Sequence, residues 1–357
     1  MYVALAILAF GVIIAIHELG HYLSAKALNV KVNEFAIGMG PKILKKQGKE
    51  TLYTLRAFPF GGFCAMEGEH EEGEEPDPRS FLSQRRWKRI VILVAGSVAN
   101  LIAAFIIVFI MTLGSEGFMT TTLSSVTDRF PTEGPSDLLP GDRIVMLNGE
   151  RLFYYDDFVL FSHLNADKPI TFTIDRDGQL IDYHRRPVII DGQEQYRYSI
   201  AFETLQGNLW ETIKYSGYQT YSFVRMIRVS LAMMLSGAAT MQDISGPVGI
   251  VSAMNSIGQQ APTTSAAIGS IIFFMAFIGV NVAVVNLLPI PAMDGGRILF
   301  VILTWIIEKI TRKHLDPKYE GYINTGAFIL LIGLMIFILY NDVMKLVGGV
   351  DLIGTIN

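Results

Sequence analysis

An apolar run from Met1 to Ile16 ends in His17-Glu18-Leu19-Gly20-His21, and continues apolar to about residue 25. A stretch of that length can cross the hydrocarbon core of a bilayer. There it has to be helical, because only a helix satisfies its own backbone in lipid. H-E-x-x-H on a helix puts two imidazoles at i and i+4 on one face, about 5–6 Å apart at Cβ. Both can then bind one Zn²⁺ while the glutamate reaches a water beside it. A soluble enzyme would give such a helix a polar face. Here Ala4, Leu5, Ile7, Leu8, Phe10, Val12, Ile13, Ile14 and Ile16 are apolar on every side. The competing reading is a helix end that turns two histidines and a glutamate out to water. The motif and its depth favour function, since ionisable groups inside a span are costly to keep.

Composition agrees with a membrane chain. Of 357 residues, 51% are hydrophobic, and the mean hydropathy of +0.39 is too apolar for an ordinary soluble protein. Length alone would allow two or three domains. The net charge of −4 says little about partners, and no nucleic-acid partner is expected. One cysteine, Cys64, excludes an internal disulfide framework and a cysteine-based zinc finger. The first apolar run lacks a basic leading segment and a small-residue cleavage site, so it is expected to be a retained span.

Four spans are expected, at about 2–25, 90–113, 268–292 and 325–344. Lysines and arginines concentrate between the first and second spans (Lys26 to Arg89) and between the third and fourth (Arg297 to Lys318). The positive-inside rule places both basic loops in the cytoplasm. Both termini, and the long segment between spans two and three, then lie outside.

Residues 31–66 carry strand-like stretches at Val32–Ile37, Thr51–Ala57 and Phe63–Met66. Gly38, Gly40-Pro41, Gly48 and Gly61-Gly62 punctuate them as turns, which suggests β-hairpins beside the zinc helix. Ala57 to Phe63 is apolar enough to dip into the membrane, where irregular backbone survives only against protein or a cavity. Glu67 to Arg79, with His70, Glu71, Glu72, Glu74 and Glu75, reads as a solvated acidic linker. From about 115 to 205 the pattern is that of a small β domain. Asn148-Gly149 marks a tight hairpin, a short helix is expected at Tyr155–Leu164, and strands at Ile170–Ile174, Leu180–His184, 187–190 and 196–202. Leu138 to Gly149, "LLPGDRIVMLNG", resembles the loop and strand that open PDZ domains of membrane and periplasmic proteases. Residues 208–237 form an amphipathic helix that Arg225 and Arg228 keep from being a span, and Ser245 to Gly249 reads as loop.

A catalytic zinc needs three protein ligands and an open position. The residue six after His21 is Ala27, so the third ligand lies elsewhere. Asp294, in Asn286-Leu287-Leu288-Pro289-Ile290-Pro291-Ala292-Met293-Asp294-Gly295-Gly296-Arg297, is at the cytoplasmic end of span three and matches the depth of His17 and His21. Pro289 and Pro291 break the helix and let Asp294 turn inward. Asn286 suits either an extended substrate backbone or neighbouring helices.

H-E-x-x-H in the first span, with N-x-x-P-x-P-x-x-D-G-G in the third, resembles the site-2 protease family, in the single-PDZ form of its regulator-of-sigma-E-protease branch. The resemblance covers essentially the whole chain. It implies a polytopic α-helical membrane protein of about four spans, with membrane-associated β-hairpins and one extracytoplasmic α+β PDZ domain. The divisions are 1–113, 114–206 (PDZ), 207–262 (interfacial helix and linker) and 263–357. It implies Zn²⁺ on His17, His21 and Asp294, with Glu18 as base. It also implies single-span membrane substrates, cut after a first protease has trimmed them. The segments Glu34–Ile43 and Phe58–Phe63 resemble substrate-facing loops, which makes Gly38, Gly40, Gly61 and Gly62 candidate substrate contacts beside Asn286. Peptide termini at the PDZ groove and membrane lipid complete the expected partners. The rival readings are an idle zinc-containing receptor and a zinc-dependent transporter. The lack of ionisable residues in the apolar interiors of spans two and four weakens the second.

Overall fold

The computed structural model describes residues 1–69, 77–126, 138–165, 169–185, 188–190, 193–195, 200–237, 246–312 and 318–347. His70, Glu71, Glu72, Glu74, Glu75, the Asp191-Gly192 turn, residues 196–199 and Ser245 lie outside these. The elements in chain order are α1 (Tyr2–Ala27), β1 (Val32–Gln47), β2 (Leu52–Met66), α2 (Arg86–Thr112), β3 (Gly117–Val126), β4 (Arg143–Leu147), β5 (Glu150–Arg151), α3 (Tyr155–His163), β6 (Ile170–Arg176), β7 (Gln179–Arg185), β8 (Val188–Ile190), β9 (Gln193–Gln195), β10 (Ile200–Gln206), α4 (Leu209–Leu235), α5 (Pro247–Gln260), α6 (Thr264–Asn286), α7 (Asp294–Thr311) and α8 (Lys318–Val347). They form two compact units, Met1–Met111 with Phe223–Asn357, and Thr112–Ser222.

In the first unit four helices are long and apolar enough to cross a membrane: Tyr2–Ala27, Arg86–Thr112, Thr264–Asn286 and Gly321–Tyr340. The third ends at Asn286, with Leu287 as its cap, rather than continuing to 292. Pro289 and Pro291 cannot extend it, and the chain crosses an irregular turn before α7 begins at Asp294. Helix α7 was not among the expected elements, and it forms with Gly295 and Gly296 in its first turn. Each of these glycines lies hard against the backbone of 287–291, where an added Cβ would sit 2.2–2.3 Å from a carbonyl oxygen.

The segment 246–260 is likewise a helix and not the loop expected around Ser245 to Gly249. Pro247 stands in its first turn, a favoured place for proline. The buried Asp342 of α8 accepts from Gly246 N (3.1 Å) and Gly249 N (2.9 Å), capping α5 from another helix. Met254 of α5 packs with Ala6 and Ala9 of α1 and Ile271 of α6. Phe223 and Ile227 of α4 pack on Ala104 and Val108 of α2 and on Ala276 and Val280 of α6.

The expected hairpins form, but as two long strands that fold across each other. Phe35 pairs with Cys64 on one side and Tyr53 on the other, and Tyr53 pairs in turn with Lys46. Gly38, Gly40 and Gly61 are not turns between strands. They sit within the strands at φ of 83°, 85° and 84°, where the register shifts. At its described ends the acidic linker is tied down by ion pairs, Glu67 with Lys31 and Arg79 with Glu50.

The second unit has a sheet of order β10-β3-β4-β6-β7, with β5 paired to β4. Ile144, Leu147, Phe158, Ile170, Phe172, Ile174 and Tyr183 fill its core. Asn148-Gly149 makes the expected hairpin, with φ of 47° and 81°. The buried Asp142 binds Arg176 Nε and Nη2, both at 2.7 Å, and holds the Leu139–Asp142 turn through Leu139 N. Arg176 is held above its ordinary pKa by that carboxylate.

Candidate metal centre

Helix α1 brings His17 and His21 to one face, as the i, i+4 spacing requires. Both are buried, at 6% and 7% exposure. Asp294, the first residue of α7, meets them, 277 positions after His17. His17 Nε2 lies 3.1 Å from Asp294 Oδ2, His21 Nε2 lies 3.3 Å from the same oxygen, and the two Nε2 atoms are 3.2 Å apart.

That near-equilateral triangle is the test of whether a metal fits. Donors about 2.0–2.1 Å from a tetrahedral zinc stand about 3.3–3.4 Å from one another. Three donors at 3.1–3.3 Å therefore leave room for one ion of that size, with the fourth corner open. They are also the one group of three or more histidine, cysteine or acidic donors that converges in this way among the described residues. His21 Nδ1 donates to the Ile92 carbonyl at 2.8 Å, which fixes the tautomer and leaves its Nε2 lone pair toward the triangle. Burial raises the Asp294 carboxyl's hold on a proton. The neighbouring His17 and His21 outweigh it and keep the group below the usual carboxylate range.

A cavity of about 560 Å³ opens beside the triangle and is lined by His17, Glu18, His21, Asn286 and Asp294, with Phe63 to Met66 of β2 forming one wall. Asn286 was expected near substrate backbone or neighbouring helices, and its Nδ2 lies 3.1 Å from His17 Nε2. Of the four candidate glycines, Gly62 approaches the site. An added Cβ there would stand 3.3 Å from Glu18 Cγ. Gly38 and Gly40 face Phe58, and Gly61 faces Met39, all three away from the cavity lining.

Three neighbours of the site were not singled out from the sequence as site residues. Gly96 of α2 faces both imidazoles, and a Cβ there would fall 2.4 Å from His21 Nε2 and 2.8 Å from His17 Cε1. Glu69 and Arg297 pair at 2.5 Å in the cavity wall. A small residue in a span, or an ion pair 228 positions long, shows itself only once the helices are packed.

Residues 5–334 match peptidase family M50, the site-2 protease family. The chain belongs to that family. It is 36% identical to a protein of Clostridium acetobutylicum over 96% of this chain and 97% of the relative. It is 35% identical to one of Clostridium perfringens, over 96% and 99% of the two chains, and 29% identical to one of Fusobacterium nucleatum, over 96% and 98%. All three are named as putative zinc metalloproteases. The M50 chain is thus a membrane zinc metalloprotease, and the receptor and transporter readings fall away.

Proposed function

We propose that the chain is an intramembrane endopeptidase that cuts single-span membrane proteins within or near their transmembrane segment, with His17, His21 and Asp294 as zinc ligands and Glu18 as general base. The observation that carries this reading is the donor triangle of 3.1–3.3 Å where the apolar helix α1 meets the start of α7, with the Glu18 carboxylate on the same cavity. A zinc held by these three residues would supply Lewis acidity, acidifying a water and polarising a carbonyl. Glu18 takes the attacking water's proton on its carboxylate and later gives it to the leaving amine. The Ile92 carbonyl keeps the His21 ring from turning.

A substrate helix hides its carbonyls in internal hydrogen bonds, so the scissile stretch has to extend. The 62–66 row of β2 pairs with β1 on one side and has no strand partner on the other among the described residues. Its Phe63 and Ala65 line the cavity, so strand addition along this edge offers an extended segment replacement backbone bonds beside Glu18. The Asn286 amide, next to His17, is placed to hold one more peptide group.

The second unit serves, on this reading, as an extracytoplasmic PDZ domain that meets the outer ends of substrates after a first protease has trimmed them. Its support is the Leu138–Asp142 turn held rigidly ahead of β4. Both termini lie outside a bacterial plasma membrane, as the basic loops require.

The test is co-expression of the wild type and Glu18→Gln with candidate single-span proteins. Fragments that form with the wild type and vanish with the variant, while zinc remains at one per chain, support the reading. Cutting by Glu18→Gln at near wild-type rate shows that Glu18 is not the base.

A further inference from the structure

Asp294 occupies an exposed mechanical position for a metal ligand. It is the first residue of α7, preceded by the irregular 287–293 segment, and the Met293 cap offers no side-chain hydrogen bond. Ala292 just before it is held at a φ of 71°. Helix ends fray, and four backbone donors there have no partner within the helix. Something outside α7 has to fix its first turn if Asp294 is to stay within 3.1–3.3 Å of two imidazoles.

We propose that Glu69 and Arg297 form a clamp between β2 and α7 that positions Asp294 at the metal centre. The proposal rests on the ligand reading above. Arg297 follows Asp294 by three residues, so both leave α7 on one face. Arg297 Nη1 donates to Glu69 Oε1 at 2.5 Å, and Met66 N, at the end of β2, donates to Glu69 Oε2 at 3.2 Å. The carboxylate thus spends one oxygen on each wall of the cavity. The pair is mostly buried, with side-chain exposures of 18% for Arg297 and 10% for Glu69. Burial sets it apart from surface pairs, which contribute little. The Arg297 guanidinium also lies over the Phe81 ring, 5.2 Å from its centroid. Phe81 is fully buried in a core with Met66, Ile92 and Leu93. Ile92 is the residue whose carbonyl orients His21. One core therefore supports the His21 ring from α2 and the Asp294 turn through Arg297.

Arg297 and Glu69 are positioning residues in this account, acting through Asp294. Outer partners of metal ligands are typically worth 10- to 100-fold in metal affinity. The experiment is competition for zinc between the full chain in detergent micelles and a chromophoric chelator, for wild type, Arg297→Ala, Arg297→Lys, Glu69→Gln, the Glu69→Gln/Arg297→Ala double variant, Asp294→Ala and Arg79→Ala. Arg297→Ala and Glu69→Gln are each expected to weaken zinc retention by about 10- to 100-fold. The double variant should be no worse than the poorer single one, because the two act as a unit. Arg297→Lys should recover part of the loss. Arg79→Ala breaks a pair on the same linker, Arg79 with Glu50 at 2.5 Å, and should leave zinc affinity unchanged. If Arg297→Ala does not fold, Glu69→Gln and Arg297→Lys carry the comparison. Wild-type affinity in Glu69→Gln and in Arg297→Ala (or in Arg297→Lys, if Arg297→Ala does not fold), alongside loss in Asp294→Ala, overturns the clamp and leaves the ligand reading standing. An equal loss in Arg79→Ala also overturns it, by showing a general loosening. Zinc retained by Asp294→Ala overturns the ligand reading itself.

Discussion

Gly96 shows how little room the metal centre leaves. Its missing side chain is the space into which His17 and His21 turn, and any Cβ there would stand 2.4 Å from His21 Nε2. We therefore expect Gly96→Ala to lose most of its zinc while the transmembrane helices remain folded, checked by metal content against circular dichroism. A variant with full zinc would show that the rings can shift without cost. The four central residues were legible because each rests on a rule that local sequence carries. His17, Glu18 and His21 follow from helical spacing, and Asp294 follows from depth and two prolines. Gly96, Glu69 and Arg297 were not legible, because their roles come from α2, β2 and α7 meeting in space. The context of Gly38, Gly40 and Gly61 resembles substrate-facing loops, and the structure adds a positive φ at each, within the bulged β1–β2 sheet.

Among the elements, α5 shows why a helix can hide in a sequence. Its first turn is Gly-Pro-Val-Gly, and its cap is supplied by Asp342 some 93–96 residues later. Losing a cap costs about 0.5–2 kcal/mol. Asp342→Ala should lower the melting temperature measurably without loss of zinc, and Asp342→Asn, which keeps one acceptor, should fall between. An unchanged melting temperature in Asp342→Ala would remove the cap from the account. The basic and acidic ends around β1 and β2 give a pH signature. Glu50 binds Arg79 and Lys26, and its pKa is drawn down to about 2 from an ordinary 4.5. A carboxyl depressed on folding adds stability above its unfolded pKa and loses it as pH falls through the folded one. Thermal stability should thus drop between about pH 4.5 and 2, and Glu50→Gln should flatten part of that drop. Because the Arg79 and Glu50 side chains keep 38% and 27% exposure, solvent screens the pair and the effect is small. Equal slopes in both proteins would refute it.

For the molecule as a whole, the two units divide the work proposed here. Thr112–Ser222 contains no residue of the metal triangle, whose members all belong to the other unit. Deleting about 116–205 should leave a catalytic enzyme with altered choice between full-length and pre-trimmed versions of one substrate. An unchanged preference would give the domain no part in selection. The four long apolar helices and the strands of the second unit were readable because lipid imposes long apolar runs and alternation marks strands. The irregular turn before α7, and the fold of β1 across β2, depend on packing that no local pattern encodes. The central claim is that one zinc is held by two imidazoles and a carboxylate drawn from two distant helices. X-ray absorption at the zinc edge of the purified protein tests it most directly, because Cys64 lines the same cavity and would betray itself. The account predicts a first shell of nitrogen and oxygen alone at about 2.0–2.2 Å, with two imidazole signatures. A sulfur neighbour at about 2.3 Å, or a third imidazole, would contradict it.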